Sequence, residues 1–209
     1  MAELRDFLSE LASDSPTPGG GSVAALAGSL AAALNSMVCN LTVGKKKYSD
    51  VEDDVRAVLA KTEPLRLELL ELIDEDAAAF DKFMVAMRLP KETEAEKAAR
   101  KEAMQSALVD AATIPLVVME KCVEVASLAR ETAVKGNTNA VSDAGVAALM
   151  ARAGAHAARL NVLINLGSIS SPDHAAFVEA ARSSIATLST DVDGYAREVM
   201  EIVEGKIAG

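Results

Sequence analysis

Apolar residues recur along this chain at spacings of three and four. Leu4, Phe7, Leu8 and Leu11 follow the i, i+3, i+4, i+7 pattern and predict a short amphipathic helix over 3–12. The segment from Ser13 to Gly21 contains two prolines and ends in three consecutive glycines, so it cannot continue that helix. Ser22 reads as the N-cap of a second helix reaching about Leu41. No residue from Gly19 to Gly44 is charged. A membrane span needs about 20 strongly apolar residues. This run is diluted by Ser22, Ser29, Asn35, Ser36, Asn40 and Thr42, and most of its apolar content is Ala. It therefore reads as the central, all-round-buried helix of a bundle. Ala24, Gly28 and Ala32 put small residues on one face, where a neighbouring backbone can approach closely.

Beyond Tyr48 the helical period continues. Val51, Val55, Val58, Leu59, Leu69, Leu72, Ile73, Phe80, Phe83 and Met87 predict a helix over about 51–88, with Pro64 expected to kink or restart it and Leu89-Pro90 to end it. Residues 92–104 are charged and helical in propensity, and the helix runs on through 105–132 with a second kink expected at Pro115. After a break at Lys135 to Asn139, Ser142 or Asn139 caps an Ala-rich helix over about 142–166. A last helix occupies about 173–205. No segment alternates with period two for long enough to require a strand. The expected architecture is all-α: a bundle of five to seven long antiparallel helices in a single domain, 1–209.

Composition agrees with this pattern. Of 209 residues, 40 are Ala and only 3% are aromatic, which disfavours an all-β fold, while 50% hydrophobic content excludes disorder. A net charge of −10, without a long basic run, points away from nucleic acid. The stretch from Met1 to Glu10 lacks the basic start and apolar run of a signal peptide. Cys39 and Cys122 sit in apolar helical stretches and read as inert buried thiols, in keeping with a cytoplasmic setting.

Few segments carry chemistry. His156 and His174 are the only imidazoles and fall in no metal-ligand spacing, so no metal is expected. Gly19, Gly20, Gly21 and Ser22 leave backbone uncovered at a helix start, where free N–H groups can receive an anion or bare backbone can meet a flat ring. A tight turn between helices is the plainer reading. Lys45, Lys46 and Lys47 beside Tyr48 form the one basic cluster, suited to an anionic tail, although a solvated Lys run has the same pattern. Lys135, Asn139 and Asp143 gather round another helix start, where capping alone would explain them. Asp76 lies four residues before Phe80 and shares its inward-facing stripe. A carboxylate there needs a partner or a task. Asn161 and Asn165, also four apart, are amides in an apolar stretch that can fix helices or read a polar ligand edge.

Taken in order, Pro16 to Ser22, Leu41 to Tyr48, Asp76 with Ala79-Phe80, Ser142-Asp143 and Asn161 to Leu166 resemble the cyclodeaminase/cyclohydrolase family of folate enzymes. The likeness spans about residues 5–200. The stretches Met37 to Tyr48 and Leu89 to Arg100 are most similar to the stand-alone methenyltetrahydrofolate cyclohydrolases. The resemblance implies an all-helical homodimer acting on tetrahydrofolate one-carbon adducts, with no metal and no cofactor beyond the folate, and with neither nucleic acid nor membrane as partner. It implies hydrolysis of 5,10-methenyltetrahydrofolate to 10-formyltetrahydrofolate, with Asp143 or Asp76 as the carboxylate base. Lys46 or a neighbouring lysine, or Lys135, would orient the formyl oxygen or meet the glutamate tail, and Asn139, Asn161 and Asn165 would read the pterin. The alternatives are release of ammonia from 5-formiminotetrahydrofolate by a cyclodeaminase, and a non-catalytic helical interaction module.

Overall fold

The computed structural model describes residues 2–209; Met1, at the head of the N-terminal stretch, lies outside them. Six α-helices follow one another: α1 (Ala2–Leu11), α2 (Gly20–Asn40), α3 (Glu52–Met87), α4 (Glu94–Lys135), α5 (Val141–Ser168) and α6 (Ala175–Ala208). Short 3₁₀ turns, Lys46–Val51, Thr138–Ala140 and Pro172–His174, lead into α3, α5 and α6. No strand occurs among the described residues. The all-α expectation holds, and the helix number falls within the expected range.

The uncharged helix is central. α2 packs against α3, α4 and α5, while α6 covers the far side of α4 and α5. By length and composition α2 could cross a membrane, but most of it is buried against its neighbours. Its small face sets the spacing: a Cβ on Gly28 would lie 2.7 Å from Cys122 Sγ, and one on Gly154 would lie 2.9 Å from the Ala24 carbonyl oxygen. The close approach anticipated from Ala24, Gly28 and Ala32 is therefore made with α4 and α5. A buried polar chain pins three helices together. Asn35 Nδ2 donates to Thr62 Oγ1 at 3.1 Å, and the Thr132 hydroxyl donates to Asn35 Oδ1.

Several boundary expectations are corrected. Helices α3 and α4 continue through Pro64 and Pro115, so neither proline restarts a helix. Each proline removes one backbone donor at a cost of about 3 kcal/mol, which packing along helices of 36 and 42 residues outweighs. Ser22 does not cap α2, which begins two residues earlier behind Gly19, with no side-chain cap. Neither Ser142 nor Asn139 caps α5, because the 3₁₀ turn Thr138–Ala140 precedes it and Asn137 caps that turn by accepting from the Asn139 N–H. The start of α4 is fixed by a reciprocal capping box between Thr93 and Glu96.

Candidate active site

The triple glycine meets the middle of α3. A cis Thr17–Pro18 peptide leads into Gly19, and α2 then starts directly over Asp76. A Cβ on Gly21 would stand 2.0 Å from Asp76 Oδ1, so only glycine admits the carboxylate here. Ser22 Oγ lies 3.1 Å from both Asp76 Oδ2 and the Ile73 carbonyl oxygen. The serine is fully buried, so it positions the acid and does not face a ligand directly. Burial raises the Asp76 pKa above the usual carboxylate value, and hydrogen bonds from the Ser22 hydroxyl and backbone N–H only partly offset that rise.

Asp76 opens into a cleft of about 340 Å³. Phe80 and Phe83, half of the chain's four phenylalanines, line it about one and two turns along α3 from Asp76. Bare backbone of Gly19, Gly20 and Gly21 forms another wall, and Leu108, Ala111 and Ile164 supply apolar surface. Asn161 and Asn165 enter from α5. Their amides are anchored, Asn161 Nδ2 to the Ala157 carbonyl at 2.9 Å and Asn165 Nδ2 to the Ala111 carbonyl at 2.7 Å. Both carbonyl oxygens are without a partner among the described residues. Asp76 is the sole ionisable residue in the lining. A flat ligand with a hydrogen-bonding edge and a positive charge beside Asp76 suits this lining.

The structure thus brings Gly19, Gly20, Gly21, Ser22, Asp76, Asn161 and Asn165 together. The remaining candidates lie elsewhere. Lys45, Lys46, Lys47 and Tyr48 follow the other end of α2, a helix of 21 residues and so about 30 Å long. There the Thr138 N–H donates to the Tyr48 hydroxyl at 3.0 Å, that hydroxyl donates to Asn137 Oδ1 at 3.2 Å, and Lys47 Nζ lies 5.3 Å from the Tyr48 ring. Hydrogen bonds from Thr138 and the nearby Lys47 charge lower the Tyr48 pKa. Lys135 is tied to Asp54 and Glu131 at 3.2 and 2.8 Å. Asn139 is exposed in the 3₁₀ turn before α5, and Asp143 sits in the first turn of α5. Asp143 is 18 residues from Asn161, about 27 Å along the helix. Within one chain this second corner does not reach the cleft.

Sequence reasoning did not assign Phe83, Leu108, Ile164 and Ser168 to a site. Phe83 carries a legible signal, being seven residues after Asp76 and on the same helical face. Gln105 was missed as well. Its side-chain oxygen accepts from the Ser170 and Ser171 N–H groups, and its amide donates to the Ser168 carbonyl, which fixes the chain where α5 ends beside the cleft.

An all-helical bundle with one half-buried acid set among aromatic rings, bare glycine backbone and carboxamides offers a cleft suited to a flat heterocycle, with no ion pair in the lining. The formiminotransferase-cyclodeaminase family pattern matches residues 3–185, and the chain belongs to that family. It is 46% identical over 204 residues to the methenyltetrahydrofolate cyclohydrolase of Methylorubrum extorquens, covering 98% of this chain and 97% of that one. It is 34% identical over 205 residues to the formimidoyltransferase-cyclodeaminase of Sus scrofa, covering 98% of this chain but 37% of the longer protein. Its fold superposes with a TM-score of 0.86 on the crystal structure of formiminotetrahydrofolate cyclodeaminase from Thermotoga maritima, at 32% identity, covering 98% of this chain and 96% of that one.

Proposed function

We propose that this chain is a folate one-carbon enzyme that hydrolyses 5,10-methenyltetrahydrofolate to 10-formyltetrahydrofolate, with Asp76 as its base. The observation that carries the reading is a lone carboxylate in a cleft walled by Phe80, Phe83 and the glycine backbone. The methenyl group is an amidinium cation, and Asp76 attracts it where little water screens the charge. Water adds to the electrophilic carbon and gives up a proton to Asp76. Asp76 returns that proton to N5 as the C–N5 bond breaks. The carbinol hydroxyl then loses its proton as the formyl C=O forms, so one proton is released overall. A carboxylate pKa lifted by burial suits both halves of this exchange. The Asn161 and Asn165 carbonyl oxygens accept from the pterin N–H edge.

The cyclodeaminase reaction is kept as the second reading, because the Thermotoga maritima neighbour carries that activity in its name. There N10 attacks a 5-formimino carbon and ammonia leaves, forming the same cation beside Asp76. The two readings separate in one experiment. Purified protein is mixed with 5,10-methenyltetrahydrofolate and its near-ultraviolet absorbance followed against the spontaneous rate. Accelerated loss to 10-formyltetrahydrofolate supports the hydrolase. No acceleration, with ammonia released from 5-formiminotetrahydrofolate, supports the deaminase. Neither activity removes both and leaves the interaction module.

The working unit is read as a homodimer in the cytoplasm. Val23, Leu30 and Met37 on α2 and Leu149, Leu160 and Ile164 on α5 are all exposed, Ile164 by 71%. The α2 and α5 helices pack on one another, and Ile164 also lines the cleft. An isologous pairing with α2 antiparallel to its copy would cover these residues. It would also carry Lys45–Lys47 of the partner subunit toward the cleft, where an anionic glutamate tail leaves it. Light scattering at twice the 21.7 kDa chain mass supports this reading; a monomer with full turnover rejects it.

A further inference from the structure

A second groove runs between α5 and α6, with a chemistry opposite to that of the cleft. His156 and Arg159 from α5 and Arg182 and Ser189 from α6 line it over an apolar floor of Leu163 and Ile185, enclosing about 500 Å³. No acid lines it. Three other surface grooves each hold an acid that pairs with a base: Glu63 with Arg66, Asp110 with Lys82, and Asp193 with Arg152. The contrast matters in a chain with 31 acids and 21 bases.

Asp193, at one end of this groove, accepts from Arg152 and meets His156 Nε2 at 3.0 Å, which fixes the imidazole. Arg159 and Arg182 have no hydrogen bond or ion pair among the described residues. A guanidinium is a planar fork of donors that matches a carboxylate or phosphate in bidentate fashion, and here one comes from each helix; the Ser189 hydroxyl already donates to the Ile185 carbonyl at 2.7 Å and can only accept. Leu163 and Ile185 offer the apolar surface that a ring or short chain would cover. Residues 159 and 161 point about 200° apart around α5, so this groove and the Asp76 cleft lie on opposite sides of one helix.

We propose that the α5–α6 groove is a second ligand site, binding a small organic dianion with an apolar body through Arg159 and Arg182. The proposal does not rest on the folate reading. The dianion can be a dicarboxylate, such as a folate tail provides, or a phosphate monoester.

The probes are p-aminobenzoylglutamate for the first source and phenyl phosphate for the second. Each is titrated calorimetrically into the full chain and into a variant carrying Arg159→Ala and Arg182→Ala. The expected result is saturable binding of at least one probe, weakened by added salt. In the double variant Kd should rise at least about tenfold, the scale of one lost charged hydrogen bond. Circular dichroism should stay native and folate turnover unchanged. The probe that binds more tightly identifies the source. Failure of both probes to bind the parent protein, or binding that survives both substitutions, overturns the proposal.

Discussion

Replacing Asp76 with Asn keeps the side chain's shape and removes its charge and its basicity. A positioned general base contributes about 10²–10⁴ in rate, or about 2.7–5.4 kcal/mol at about 1.36 kcal/mol per tenfold. No other lining residue is ionisable, so no neighbour can substitute for it. Turnover of 5,10-methenyltetrahydrofolate should fall by about 10²–10⁴. Stability should move the other way. The folded-state pKa of Asp76 is raised by burial, so the native protein binds its proton more readily than the unfolded chain does. That linkage favours folding fully below the unfolded carboxylate pKa and is lost as pH rises through the folded one. When ionised, the half-buried Asp76 is a partly desolvated charge that the Asn variant lacks. The variant should melt at the same temperature or higher at pH 7, with the difference shrinking in acid. The acid limb of kcat/KM should also lie above the ordinary Asp range. Ser22→Ala removes a donor to the ionised form and should move that limb to still higher pH. Stopped-flow absorbance with purified variants, and melting curves from about pH 3, below the ordinary Asp value, to about pH 8, measure these effects. Loss of less than about tenfold in turnover, where a positioned base supplies far more, would refute the role of Asp76 as base.

Gly21→Ala must displace the Asp76 carboxylate, since the new Cβ would fall 2.0 Å from Oδ1; turnover should drop at least about tenfold while far-ultraviolet circular dichroism stays helical. Gly28→Ala should cost about 1–3 kcal/mol by crowding Cys122 and Leu69, read as a lower midpoint in urea without loss of the folate site. Asn35→Ala leaves Thr62 and Thr132 without a shared partner in the core and should destabilise by about 1–3 kcal/mol in the same assay. The Cys39 and Cys122 thiols are pushed up to about 11 and about 12 by burial, so neither should react with a disulfide reagent at pH 8 in native protein, and both should react in denaturant.

Much of this was legible along the chain, because helical period and small-residue spacing are local signals. Leu69 and Leu72 are buried where the stripe on α3 placed them, and Gly28 packs on Cys122 as the small face of α2 implied. Asp76 was legible as well, as a carboxylate on an inward stripe. The convergence of Asp76 with Asn161 was not, since the two lie 85 positions apart and only the antiparallel packing of α2 between α3 and α5 joins them. The same limit applies to Asp143, which the sequence offers on equal terms with Asp76. Both are acids beside helix features, but the depth of a side chain in a cleft depends on which helix crosses it. Cap positions failed for a related reason. Ser22 has the chemistry of an N-cap, yet its hydroxyl is held by Ile73 and Asp76 from a neighbouring helix, interactions invisible in the local sequence.

The packing of α2 and the chemistry at its start are one arrangement. A helix with charges or large side chains on its inner face would stand farther from α3. The Gly19–Gly21 backbone would then be lifted off Asp76, and water would fill the gap and return the acid toward its ordinary pKa. Ala24, Ala25, Gly28, Ala31 and Ala32, all buried, keep the helix close. The Ser22 hydroxyl lies between the Ile73 carbonyl and Asp76, and the Ser29 hydroxyl donates to the Arg66 carbonyl, which holds the register of the two helices at both points. The absence of charge from Gly19 to Gly44 thus follows from the site as much as from the core. It lets a backbone wall stand against a carboxylate, and it leaves that carboxylate as the only charge a bound cation meets in the cleft.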